Sequence, residues 1–158
     1  MGEFIIPVYI DDEQDIYSRF DPEGLTFGSE LTDYLTDYLE DRGFGEKVTL
    51  QIHATEKFDA KRFETAYRNF IDKHKGRVER EIKLRTANAI RLMIIGVAFV
   101  IIGLVFAKGM NQVLAFIIST TGSFSVWQSA AIWIELLPVL RKKKIIIYKL
   151  LNSELRYM

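Results

Sequence analysis

Apolar residues change their spacing along the chain, and each change marks an element. Phe4 to Ile10 (FIIPVYI) is a short apolar run that reads as a strand. Pro7 within it points to an edge strand or a bulge, because proline has no N–H to give a ladder. Asp11 to Asp15 is an acidic loop, and Asp21-Pro22-Glu23-Gly24 is a turn. From Ser29 the spacing becomes helical. Leu31, Tyr34, Leu35, Tyr38 and Leu39 fall on one side as far as about Arg42, and Gly43 stops the helix. Lys47 to Ala54 alternates Val48, Leu50 and Ile52 against Lys47, Thr49, Gln51 and His53, the pattern of a half-buried strand. Asp59 caps the next helix, whose apolar face is Phe63, Tyr67, Phe70 and Ile71. The predicted order is β-α-β-α, a small α/β or α+β unit. A two-stranded sheet is marginal alone. It needs both helices over one face, an extra strand, or pairing with another subunit.

Arg77 to Arg85 fits two patterns. Val78, Ile82 and Leu84 allow a short strand, while Glu79–Lys83 and Glu81–Arg85 are i,i+4 pairs that suit a helix. Helix is the preferred reading, continuous with the following segment after a break at Gly76.

Beyond Thr86 the periodicity disappears under continuous hydrophobicity. Leu92 to Ala107 is uncharged and mostly aliphatic, and extending back to Ala87 adds a single charge, Arg91. Such a segment spans about 30 Å as a helix, the thickness of a bilayer core. Gly109 to Ile134 is a second uncharged run. Its early Asn111 and Gln112 place the start of a span near Val113. Pro138 and the run Arg141 to Lys144 end it after Leu137. The expected organisation is a cytoplasmic α/β domain over 1–76, a juxtamembrane helical connector over 77–86, an α-helical transmembrane hairpin over 87–140, and a basic cytoplasmic tail over 141–158.

Charge supports this division. Lys plus Arg and Asp plus Glu both number 21, so the chain is neutral overall. The first 45 residues nevertheless carry twelve acids against two bases, whereas 87–140 hold only Arg91, Lys108 and Glu135. Bases flank both spans on one side: Arg77, Arg80, Lys83, Arg85 and Arg91 before the first, Arg141 to Lys144 and Lys149 after the second. Only Lys108 sits in the connection. The positive-inside rule then puts both termini in the cytoplasm, at an inner membrane. Trp133 and Tyr148 are placed as interfacial anchors, and Trp127 falls deeper.

The spans carry their own signals. Ala89, Gly96 and Gly103 recur every seven residues, a stripe of small side chains that lets helix backbones approach. In the second span Thr121, Ser125, Gln128 and Glu135 fall at helical spacing on one face. Hydroxyls can bond their own helix. Gln128 and Glu135 are costlier in hydrocarbon and normally face protein or water. One reading is helix-to-helix glue, with Glu135 level with Arg85 and within reach of Arg91. The other is a polar path in an oligomer, since two helices cannot enclose a pore.

Catalytic chemistry is sparse. The chain has no cysteine, which excludes disulfides and thiolate sites. It has no phosphate-cradling glycine loop, no HExxH and no Ser/His/Asp context. His53 and His74 sit on different elements. Asp11, Asp12, Glu13 and Asp15 lack the central glycine and terminal glutamate of a calcium loop. No enzyme, metal or cofactor is therefore expected. Asp33, Asp37, Glu40 and Asp41 read as a solvated face, or as a surface that docks on the basic 57–85 segment. The juxtamembrane bases satisfy topology and attract anionic lipid, and a nucleotide or oligonucleotide stays open as a polyanionic ligand.

Gly122 to Gln128 (GSFSVWQ), Ile132 to Glu135 (IWIE), Pro138 and the basic tail through Tyr148 give the second span a recognisable layout. It resembles a family of small, uncharacterised bacterial membrane proteins with an N-terminal cytoplasmic α/β domain and two closing spans. The architecture also resembles small two-span effectors of bacterial anti-phage systems, in which a soluble domain senses a signal and oligomeric spans permeabilise the membrane. The expected function is an oligomeric inner-membrane protein whose cytoplasmic domain senses a ligand or partner and controls the spans, as an ion-conducting or membrane-disrupting effector. The alternative is a non-conducting anchor or scaffold that docks a cytoplasmic partner.

Overall fold

The structure, a computed structural model, describes residues 3–12, 16–21, 23–40, 47–54, 58–106, 109 and 111–158. The sequence-based assignments at Glu13, Asp15, Pro22, Asp41, Arg42, Gly43, Ala107 and Lys108 lie outside the described residues. The protein is mostly helical, with a small three-stranded parallel sheet and two long apolar helices. The elements are β1 (Glu3–Ile10), α1 (Ser29–Glu40), β2 (Lys47–Ala54), α2 (Ala60–Phe106), α3 (Gln112–Ala131), a π-helical turn (Ile132–Leu136), α4 (Leu137–Leu151) and β3 (Glu154–Tyr157).

The chain divides into two compact units, one of residues 1–77 with 143–158 and the other of residues 78–142. In the first unit the strand order is β1-β2-β3, with both pairings parallel. Pro7 lies on β1, an edge strand, where a missing donor is tolerated. The Tyr34 hydroxyl of α1 donates to its carbonyl at 2.7 Å. Alternate strand residues Ile6, Val8, Ile10, Val48, Leu50 and Ile52 are buried in one cluster with Leu35 of α1, Phe63, Tyr67, Phe70 and Ile71 of α2, and Ile146 and Leu150 of α4. Ile5 and Tyr9, at the intervening positions, are exposed. Phe27 is the aromatic hub of this core. Its ring lies 5.1 Å from Phe63, 5.9 Å from Phe70 and 6.3 Å from Tyr67, and each such pair adds about 0.5–1.5 kcal/mol beyond area burial.

Helix α2 begins as its sequence dictates: the Asp59 carboxylate accepts from the N–H groups of Lys61 (3.0 Å) and Arg62 (3.1 Å), capping two free donors. The expected break at Gly76 does not occur. Gly76 is exposed with open space around it, and α2 runs unbroken to Phe106. A single glycine costs a helix about 1 kcal/mol, less than long flanking helical segments return. Residues 77–86 are accordingly helical.

The larger difference is at the C-terminus. The expected basic tail contains β3, which supplies the third strand that a two-stranded sheet lacked. Thr49 to Ile52 pair with Glu154 to Tyr157, and the Met158 N–H continues the ladder to the Ile52 carbonyl at 2.9 Å. Lys47 donates to Glu154 at 2.9 Å, and Arg156 bridges to Glu3 at 2.9 Å. The Lys47 bond first, and then Arg156, hold the Glu154 carboxyl below its ordinary range. The buried Tyr67 hydroxyl donates to the Leu150 carbonyl at 2.9 Å and meets Ser153 Oγ at 2.8 Å, tying α2 to the end of α4. Burial pushes its pKa well above the usual tyrosine value. A parallel pairing requires a crossover. Here the β2-to-β3 connection contains both apolar helices.

Candidate functional site

Two helices, Ala60–Phe106 and the continuous helical run Gln112–Leu151, are long and apolar enough to cross a membrane. Only 17% of the most apolar stretch of each is buried within the protein. A core helix of a soluble domain is mostly covered. Ile94, Leu104, Val105, Phe116, Phe124 and Trp127 instead stand in the open. Trp127 is 71% exposed and Trp133 40%. Asn111 caps α3, its side chain accepting from the Val113 N–H at 2.9 Å.

The second unit is built along a seam of small residues. Ala89, Gly96 and Gly103 are all buried on α2, and Gly122 and Ser129 are buried on α3. A Cβ on Gly96 would lie 2.8 Å from the Gly122 carbonyl oxygen and 2.8 Å from the Val126 nitrogen. A Cβ on Gly122 would lie 2.8 Å from the Gly96 carbonyl oxygen. The two backbones are therefore in direct contact, which only glycine at both positions permits. Seven residues along, the Ser129 hydroxyl donates to the Ala89 carbonyl at 2.7 Å, with both residues fully buried. Gly103 faces Ser119 at an ordinary 3.4 Å. As the index rises on α2 it falls on α3, so the two helices run antiparallel.

The polar residues proposed for one face separate into two kinds. Thr121 donates to the Ile117 carbonyl at 2.8 Å and Ser125 to the Thr121 carbonyl at 3.0 Å, each four residues back on the same helix. Their hydroxyls are satisfied locally. Gln128 and Glu135 are exposed, and among the described residues their side chains make no hydrogen bond or ion pair. The expected pairing of Glu135 with Arg85 or Arg91 is not formed. Arg85 lies 3.8 Å from Glu81, one turn back on its own helix, and Arg91 is exposed. Glu135 sits within the π-helical turn Ile132–Leu136. A π turn closes its hydrogen bonds one residue later than an α turn. Seven residues therefore no longer return Glu135 to the direction of Gln128, and the common face holds only as far as Gln128. π turns recur at functional sites, and this one carries the only acid of residues 87–140.

The remaining sequence candidates have structural partners or lie in solvent. His53 stacks on Tyr9 with ring centroids 4.8 Å apart, and His74 Nδ1 lies 2.9 Å from the Phe70 carbonyl. Asp33 and Asp37 are exposed and make no ion pair among the described residues. Tyr148, expected as an interfacial anchor, is half-buried between Lys75, at 5.1 Å, and Lys144, at 5.4 Å. No group of three or more metal-ligating side chains occurs among the described residues.

Sequence reasoning did not assign Gly122 and Ser129 to helix packing, although the signal was present. Ala115, Gly122 and Ser129 repeat every seven residues, as Ala89, Gly96 and Gly103 do. No family model matches the chain, and neither a curated protein nor a solved structure matches it.

Proposed function

We propose that the chain is an oligomeric inner-membrane protein with both termini in the cytoplasm. Its α/β unit binds a ligand or partner and controls a transmembrane hairpin, which acts as an ion-conducting or membrane-disrupting effector. The observation that carries this reading is Gln128, an exposed amide whose side chain has no partner among the described residues, on a helix apolar enough to span a bilayer. A polar group facing lipid is costly, so such a residue normally faces protein or water. The seam at Gly96, Gly122 and Ser129 already occupies the small-residue faces within one chain. Gln128 is then left for contacts between copies, with Thr121 and Ser125 lining the same side and Glu135 beyond the π turn. The resemblance to two-span anti-phage effectors points the same way at the level of architecture.

The test is ion flux from liposomes. Replacing Gln128 and Glu135 together with Leu abolishes flux on this reading while the oligomer persists. Unchanged flux refutes the pore assignment.

The second reading, a non-conducting anchor or scaffold, draws on the same seam. A hairpin that packs tightly within one chain needs no other copy. In that case the first unit keeps its partner when the spans are exchanged for an unrelated hairpin, and loss of the partner counts against it.

A further inference from the structure

Arg91 and Glu135 are two of the three charges in residues 87–140, and both are exposed. Their directions follow from the seam. Arg91 lies two residues after Ala89, which is 0% exposed and accepts from Ser129 of α3. Two residues turn an α-helix by about 200°, so Arg91 points away from α3. Glu135 lies two residues before Leu137, which is 1% exposed. It points to the side of its own helix opposite the buried one. Within one chain the two charges thus occupy opposite outer faces and do not meet. Among the described residues neither side chain makes a hydrogen bond or ion pair. Their depths nevertheless converge. Carrying the antiparallel register of Ser129 on Ala89 onward sets Glu135 level with Lys83, eight residues from Arg91, or about 12 Å along the axis. Helical side chains lean toward the N-terminus of their own helix. In antiparallel helices those directions oppose, and here Arg91 and Glu135 lean toward a common level.

We infer that Arg91 of one copy pairs with Glu135 of the next, so that copies join head to tail through unlike faces of α2 and α3. Copies in one bilayer share a depth, so levels within one chain hold between neighbours. A charge within a membrane span is costly alone and is normally paired. Each copy offers one positive and one negative face, and head-to-tail contacts of this kind close into rings where the rotation permits. Leucine at 135 leaves Arg91 free to reach the headgroups, so it removes the pair without dispersing the assembly. Charge reversal instead sets like charges against each other. The inference rests on the oligomer reading above and gives it an interface. It is measured by assembly and not by flux, so an assembly that forms through this pair but does not conduct removes the pore reading alone.

The experiment uses the full chain in mild detergent, with particle mass followed on dilution. Arg91→Glu sets an acid against Glu135 of the neighbour, and Glu135→Arg sets a base against Arg91. Each variant alone should weaken assembly by about tenfold or more, read as the concentration at which the particle dissociates. The two variants are then co-expressed with different affinity tags. Every contact between unlike variants joins opposite charges, so the mixture should co-purify on either tag and regain most of the wild-type affinity. A pair confined to one chain is not rescued by mixing. If either single variant fails to fold by circular dichroism, Arg91→Glu with Glu135→Arg in one chain replaces it, because that variant restores opposite charges at every contact and should assemble as the wild type does. The inference is overturned if both single variants assemble as tightly as the wild type, or if neither mixing nor the double reversal restores what they lose. A wild-type monomer overturns it together with the oligomer reading.

Discussion

Substituting Gly96 by alanine probes the α2–α3 seam most sharply. The new methyl would sit 2.7 Å from Val126 Cγ2 and 2.8 Å from both the Gly122 carbonyl oxygen and the Val126 nitrogen. Two of these three are backbone atoms, which cannot rotate aside. Carbon contacts rest near 3.5–4.0 Å, so the helices must part by about 1 Å or bend. Overpacking of this kind costs about 1–3 kcal/mol. Parting the helices also stretches the 2.7 Å bond from Ser129 to Ala89, and interhelical bonds in membranes contribute about 0.6 kcal/mol, up to about 1.7. Alanine returns about 1 kcal/mol of helix propensity at this position too, so the expected net loss is about 1–4 kcal/mol. Gly103→Ala is the internal control. Its methyl would meet Ser119 Cβ at 3.4 Å, and the gain in helix propensity, about 1 kcal/mol, offsets any residual crowding. Unfolding of the purified protein by sodium dodecyl sulfate in mixed micelles measures both variants. Equal stability of Gly96→Ala and wild type refutes the backbone contact. Equal losses at Gly96 and Gly103 refute the claim that the closest approach is local.

Three further outcomes follow from the same geometry. Ser129→Ala leaves the Ala89 carbonyl without its interhelical donor and should lower stability by about 0.6–1.7 kcal/mol in the same micelle assay, whereas Ser125→Ala, which removes only a bond within its own helix, should have less effect. Deleting 154–158 removes β3 and exposes the edge of β2, so trypsin should cut the first unit much faster and the protein should aggregate on gel filtration. The Glu154 carboxyl is held below its ordinary value in the folded protein, so its contribution is present above the unfolded carboxylate pKa of about 4.3 and is lost as pH falls through the lower folded value. Thermal melts across this acid range should show that loss in the wild type and a smaller one in Glu154→Gln.

The parts of the fold that were legible in the sequence are those with local signals. Alternation over 47–54 gave β2 its bounds, Asp59 marked the start of α2, and the uncharged runs marked two apolar helices. Strand β3 has only four residues, and its partner β2 lies about a hundred residues earlier in the chain. Nothing in Glu154 to Tyr157 signals such a pairing. The continuity of α2 through Gly76 was obscured because propensity is a weak local term that long flanking helices override. In the candidate site, the stripe at Ala89, Gly96 and Gly103 was visible from spacing alone. Its counterpart at Gly122 and Ser129 was hidden by the denser polar pattern of Thr121, Ser125 and Gln128 on the neighbouring positions. Glu135 was misplaced because helical-face arguments assume one constant rotation per residue, and a π turn breaks that assumption.

The central claim is that the exposed polar residues of α3 are completed by other copies of the chain. The most direct measurement is the protein mass of the purified particle in mild detergent, with the detergent contribution subtracted. The account predicts a discrete assembly of four or more chains, and Gln128→Leu with Glu135→Leu retains it. A stable monomer contradicts the account, because one hairpin cannot shelter Gln128 or enclose a path.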